Sequence, residues 1–190
     1  METIGHHTCR NTENVDEIER NGPFKAIHGK TGKQQFLGTG YYFWDNNIAA
    51  AKHWGKVHYE DCYLVFEANL TIPEEQFLDL VGSRKAMIYA QELMKRFKDR
   101  NQNSEHWELG KFIEFMKEVA NKPGFKNVFP YTVFRAVDHS ITAKSEPKHL
   151  FVAGKPNYIN LNPRFVICLA EKNSLVLKDF RAVYPESYAG

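Results

Sequence analysis

Two stretches of this chain hold residue types suited to gripping and reacting with a flat, polar ligand. The first is His6-His7-Thr8, inside a segment where Ile4, His6 and Thr8 alternate with Gly5, His7 and Cys9. The second is Gly38-Thr39-Gly40-Tyr41-Tyr42-Phe43-Trp44-Asp45, followed by Ala49-Ala50-Ala51-Lys52-His53-Trp54-Gly55. A strand histidine offers a hydrogen-bonding ring nitrogen. A run of aromatic side chains offers ring faces for a flat ligand. Glycines flanking a strand let a ligand approach the backbone. The plain packing alternative for the same residues puts Tyr41 and Phe43 inward and Tyr42 and Trp44 outward.

Other chemistries are poorly supported. Asp138-His139-Ser140 has the residue types of a hydrolytic triad, but adjacent residues rarely converge as triads assembled from separate elements do. Cys9 beside His7 has the types of a thiol nucleophile, yet a free cysteine is more often simply buried. The segment from His28 to Lys33 resembles no phosphate loop, because no Gly-Lys-Ser/Thr there precedes a helix. Three cysteines, Cys9, Cys62 and Cys168, lie far apart, which gives neither metal-ligand spacing nor a disulfide framework.

The elements that must position the two stretches read as follows. Residues 4–9 alternate as a short strand. Thr12 is placed to cap a helix through Ile18 and Arg20 that Asn21-Gly22-Pro23 ends. The glycine-rich segment 28–40 reads as a mobile loop, Tyr41–Trp44 as a strand, and Asp45-Asn46-Asn47 as the cap of a short alanine-rich helix, Ile48–Trp54, closed by Gly55. Tyr63–Leu70 is a strand. Residues 83–119 carry two amphipathic helical patterns, the first ending in the basic run Lys95–Arg100, a solvated helix end. Strands return at Tyr131–Val137, His149–Val152 and Arg164–Leu169, while Ser174–Phe180 reads equally as strand or helix. The fold class expected is α+β, a single domain over residues 1–190 with a helical insertion at about 83–120.

Composition agrees with a soluble globular chain. The 190 residues are 43% hydrophobic and 25% charged, with net charge +2, too balanced to demand nucleic acid. No apolar run reaches the length of a membrane span, and the first residues hold no apolar signal core. The expectation is a cytoplasmic protein with no membrane partner. Aromatics make up 14%, enough to line a pocket as well as a core.

The stretches HHT, NVDEI, NG, GTGYYFWD and AAAKHWG, in that order, resemble the ADP-ribosyltransferase superfamily on its poly(ADP-ribose)-polymerase and diphtheria-toxin-like side. The resemblance covers residues 4–70 well and the remainder weakly. It implies split antiparallel-rich sheets with an NAD cleft, and NAD as co-substrate without a metal. It implies mono-ADP-ribosyl transfer by a toxin, effector or defence enzyme of bacterial or phage-related type. The acceptor would be a protein or a nucleic acid, and an antitoxin or chaperone could cover the cleft.

By the same resemblance His6 is the motif histidine on the ribose, with His7 as the competing register, and Tyr42 stacks on nicotinamide. The second aromatic is His53 by spacing or Trp54 by ring size. Thr8, Gly40 and Tyr41 fall beside these on the NAD-binding strands. The family's third-motif Glu, at the start of a late strand, falls on Arg164, with Asn162 just before it. Neither is a carboxylate, and Glu146 and Glu171 align poorly. A catalytically silent NAD- or ADP-ribose-binding module is the alternative, and NAD hydrolysis a third reading.

Overall fold

Strand β1 (Glu2–Arg10) is the axis of the fold, and its three central residues Gly5, His6 and His7 are all buried. Alternate residues of a strand point to opposite faces, so three consecutive buried positions require cover on both. In this computed structural model, which describes residues 1–30, 33–100, 108–138, 148–155, 157–173 and 176–188, both faces are covered. Helix α1 (Val15–Asn21) packs Ile18 with Cys9 and Phe66 on the His7 face. Helix α2 (Ile48–Tyr59) packs Ala51 with Tyr63 and Val65 on the His6 face.

The strands that follow are β2 (Tyr41–Asp45), β3 (Tyr63–Thr71), β4 (Phe77–Asp79), β5 (Val133–Val137), β6 (Lys148–Leu150), β7 (Tyr158–Asn160), β8 (Phe165–Leu169) and β9 (Leu177–Tyr184). Seven form one sheet in the order β4-β5-β8-β2-β1-β3-β9, antiparallel throughout except for β4 beside β5. β6 and β7 form a separate hairpin. The expected α+β class with an antiparallel-rich sheet is therefore present. The split is a thin joint rather than a gap. β1 pairs with β3 from Glu2 to Arg10, but with β2 only at Gly5↔Asp45 and His6↔Trp44.

The helical block between β4 and β5 comprises α3 (Arg84–Arg100) and α4 (Leu109–Ala120), where the amphipathic patterns place it. Phe112, Ile113 and Met116 of α4 pack with Leu78, Phe134 and Cys168, covering the β4–β5–β8 side of the His6 face. Four sequence readings change. Asn14, not Thr12, caps α1, its side chain accepting the Glu17 N–H at 3.1 Å. Helix α2 does not stop at Gly55 but runs on to Tyr59. Gly55 is there because the helix lies hard against β3: a Cβ would stand 2.3 Å from the Tyr63 ring. The ambiguous segment before Phe180 resolves into strand β9, with residues 174 and 175 outside the described set. The short strands β4 and β7 carry too few residues to show a period and are legible only through their pairing.

Candidate functional site

The register of the sheet draws one continuous row across six strands. Ala136 of β5 opposes Val166 of β8, Val166 opposes Trp44 of β2, Trp44 opposes His6 of β1, His6 opposes Glu67 of β3, and Glu67 opposes Arg181 of β9. These residues share the His6 face. The row crosses the joint where β1 and β2 part, and Trp44 packs with both the α4 cluster and the α2 cluster, filling the space between them.

His6 is 5% exposed, and its Nε2 lies 3.6 Å from Glu67 Oε2. Burial pulls its pKa below the ordinary histidine value, with the neighbouring Glu67 carboxylate and the Trp44 backbone opposing the shift. Its Nδ1 is buried and forms no well-made hydrogen bond among the described residues. Glu67 is held in turn by Arg181, whose Nη2 donates at 3.0 Å. Thr8, two residues along β1, donates its hydroxyl to the Ala51 carbonyl at 2.9 Å and so ties α2 to the strand.

His7 points to the other face and is structural. Its Nδ1 is 2.8 Å from the Tyr42 carbonyl, and the Phe24 N–H donates to its Nε2 at 3.5 Å. Those two partners fix the neutral tautomer with the proton on Nδ1. Burial pushes its pKa down to about 4. Phe43 and Phe180 flank the ring. Of the two registers left open by the sequence, only His6 faces the row.

Tyr42 lies on the His6 face, half-buried against the α4 cluster. Its hydroxyl donates to the Gly38 carbonyl at 2.7 Å and accepts the Leu37 N–H at 2.8 Å, and burial raises its pKa far above the usual phenol range. The 28–40 loop, expected to be mobile, is fastened at its base. Ala26 and Gly40 form a bridge, the Thr39 N–H donates to Glu114 Oε1 of α4 at 2.9 Å, and Lys117 reaches the Thr39 carbonyl at 3.2 Å. Gly40 sits tight against β8, where a Cβ would lie 2.4 Å from Cys168 Sγ. Tyr41 belongs to the opposite face, with the Lys25 ammonium 5.7 Å from its ring centre.

The two candidates for a second aromatic are not brought to Tyr42. His53 is exposed on α2. Trp54 stacks on His58 of its own helix at 4.0 Å and meets Tyr59 edge-on. Asn162 accepts a hydrogen bond at 3.2 Å from Asn47, the cap of α2. It also lines an open pocket of about 370 Å³ with Thr3, Asp45, Arg135 and Phe165. Thr3 and Asp45 are on the His7 face by strand alternation, so this pocket is not the row of His6. Arg164 pairs with Asp138 at 3.7 Å, two residues beyond the row. His139, Ser140 and Glu146 lie outside the described residues.

Sequence reasoning missed two carboxylates. Glu67 is the one acidic residue in a strand that is otherwise apolar apart from Asn69 and Thr71, which is a readable signal for a charge held inside. Asp138 pairs with Arg164, the residue on which the resemblance lays the third motif, and nothing local foretells that pairing. Among the described residues no group of three or more His, Cys, Asp or Glu side chains is arranged to hold a metal ion, and no helix is long and apolar enough to cross a membrane.

NAD can be weighed against these groups. The His6 Nδ1 lacks a well-made hydrogen bond among the described residues but is itself buried, and Glu67 is already engaged by Arg181 and His6. The Tyr42 hydroxyl is taken, and its ring already packs against the α4 cluster. No family model, no curated protein and no solved structure matches this chain.

Proposed function

We propose that this chain is an NAD-dependent mono-ADP-ribosyltransferase, of the toxin, effector or defence kind, acting at the His6 row. The observation that carries the reading is that His6, Trp44 and Tyr42 share one face at the point where β1 and β2 separate. His6 there keeps a buried ring nitrogen without a well-made hydrogen bond among the described residues. Bound NAD supplies a nicotinamide leaving group and an electrophilic ribose carbon. In this reading the neutral His6 imidazole holds a ribose hydroxyl at Nδ1. Trp44 keeps water out of the joint, and Glu67 contributes negative charge where positive charge would grow on the sugar. Asp138 stands nearer the position where the family carries its Glu. The acceptor is a protein or a nucleic acid.

A second reading is favoured by a specific observation. The Tyr42 hydroxyl is engaged by Gly38 and Leu37, as in a ring kept for packing. That suits a silent NAD- or ADP-ribose-binding module. Nicotinamide release from NAD by the purified chain, with and without cell lysate, separates the readings. Release that needs lysate and falls at least about a hundredfold in His6→Ala identifies a transferase. Release without lysate identifies a glycohydrolase. NAD binding without release identifies the silent module, and neither binding nor release removes the proposal.

A further inference from the structure

The two faces of the joint between β1 and β2 are closed in different ways. On the His7 face one apolar cluster runs across it, joining Phe43 of β2 and Ile167 of β8 to Ala68 and Leu70 of β3. Gly5 lies under this cluster, where a Cβ would stand 2.8 Å from Leu70 Cδ1 and 2.9 Å from Phe43 Cδ1. The Thr3 hydroxyl adds a bond across the joint to Asp45, at 2.5 Å. That face has no slack.

On the His6 face no buried cluster spans the joint. The α4 cluster covers β4, β5 and β8, and the α2 cluster covers β3. Asn47, the cap of α2, is tied to Asn162 ahead of β8 at 3.2 Å. Among the described residues, the packing between the two clusters falls to one shared side chain, Trp44, which is only half-buried. Its cross-strand neighbour is His6, 5% exposed, whose buried Nδ1 lacks a well-made hydrogen bond among the described residues. A buried polar atom in that state costs about 1–3 kcal/mol, which an arriving hydroxyl would relieve. As the chain stands, no ligand reaches that nitrogen.

We infer that Trp44 is a gate over His6, its indole rotating out of the seam to admit a ligand and returning to shut the site. The inference rests on the reading of His6 as the ligand-holding group. Rotation of one half-buried side chain moves no strand and leaves the His7-face core intact. The slot it vacates lies between two apolar clusters, which suits a flat ring, with His6 beside it for a hydroxyl. Such openings are local and need no global unfolding.

The test is labelling of the full chain by diethyl pyrocarbonate, a reagent of small-ligand size that acylates neutral imidazole. Peptide fragmentation by mass spectrometry separates His6 from His7, and His7, locked in the core, is the internal control. In the parent, His6 should label at least about tenfold faster than His7. Its rate should stay flat in urea below the unfolding transition, while that of His7 climbs. W44A should speed His6 labelling by about tenfold or more and leave His7 protected, with W44F in between. His6 labelling no faster than His7, and climbing with urea, overturns the gate, because only global unfolding then exposes the ring. Labelling of parent His6 as fast as the exposed His53 overturns it too, as does a W44A protein with His7 protected and His6 unchanged. Should W44A fail to fold, the urea series on the parent still decides. NAD that slows His6 labelling supports the gate and the NAD reading together. Gated labelling that NAD leaves untouched supports the gate and removes NAD as its occupant.

Discussion

The imidazole of His7 reaches across the joint between β1 and β2 and donates through Nδ1 to the Tyr42 carbonyl at 2.8 Å. This side-chain bond stands where strand pairing has stopped, since the last paired residues are His6 and Trp44. It satisfies a carbonyl that the parted strands would leave without its ladder partner.

A pH dependence follows from that bond. His7 has its pKa lowered from 6.5 to about 4 by burial. Its contribution is therefore fully present above pH 6.5 and is lost as pH falls toward 4, because the unfolded chain then binds a proton that the folded one refuses. The loss amounts to about 3 kcal/mol across that window. His6, also lowered, acts in the same direction. Urea unfolding of the parent and of His7→Asn between pH 4 and 7 checks this. The variant should show a flatter dependence by close to one proton, and an unchanged slope would assign the acid sensitivity elsewhere.

The His6–Glu67 pair makes a second prediction. Glu67 is one of the groups that raise the His6 pKa against the burial that lowers it. Glu67→Gln should therefore lower the His6 pKa further, read from the ring proton shifts in an NMR titration. An upward or absent movement would mean that the 3.6 Å pair carries no electrostatic coupling.

Gly40 separates packing from ligand binding. A Cβ at this position would stand 2.5 Å from the Leu169 carbonyl and against Cys168 Sγ, forcing β2 away from β8. Gly40→Ala should cost about 1–3 kcal/mol in urea unfolding without NAD present. A variant as stable as the parent but defective toward NAD would return Gly40 to the ligand.

On the His7 face, Asp45 accepts from Arg135 at 2.5 Å and from the Thr3 hydroxyl at 2.5 Å, and its side chain is 6% exposed. Asp45→Ala leaves the Arg135 guanidinium with the looser Asp79 contact at 3.6 Å and the face of the Phe165 ring, 4.7 Å from its centre. The expected loss is about 3–5 kcal/mol, larger than for the double variant Asp45→Asn/Arg135→Met. Thermal melts of the two variants side by side give the comparison.

Periodicity and end signals within the sequence determined β1, β2, β3, the two helices of the insertion and the 45–47 cap segment ahead of α2, within which the structure selects Asn47. These depend on residues a few positions apart, and local sterics and hydrogen bonding settle them. Alternation also determined that His6 and His7 face opposite ways. Which face holds the polar row, and which histidine is locked in the core, came only from tertiary structure. His6 meets Glu67 because of a register between strands about sixty residues apart, and Asp138 meets Arg164 the same way. Such registers are set by burying both faces of β1 at once under α1 and α2, a condition on the whole sheet that no short segment carries.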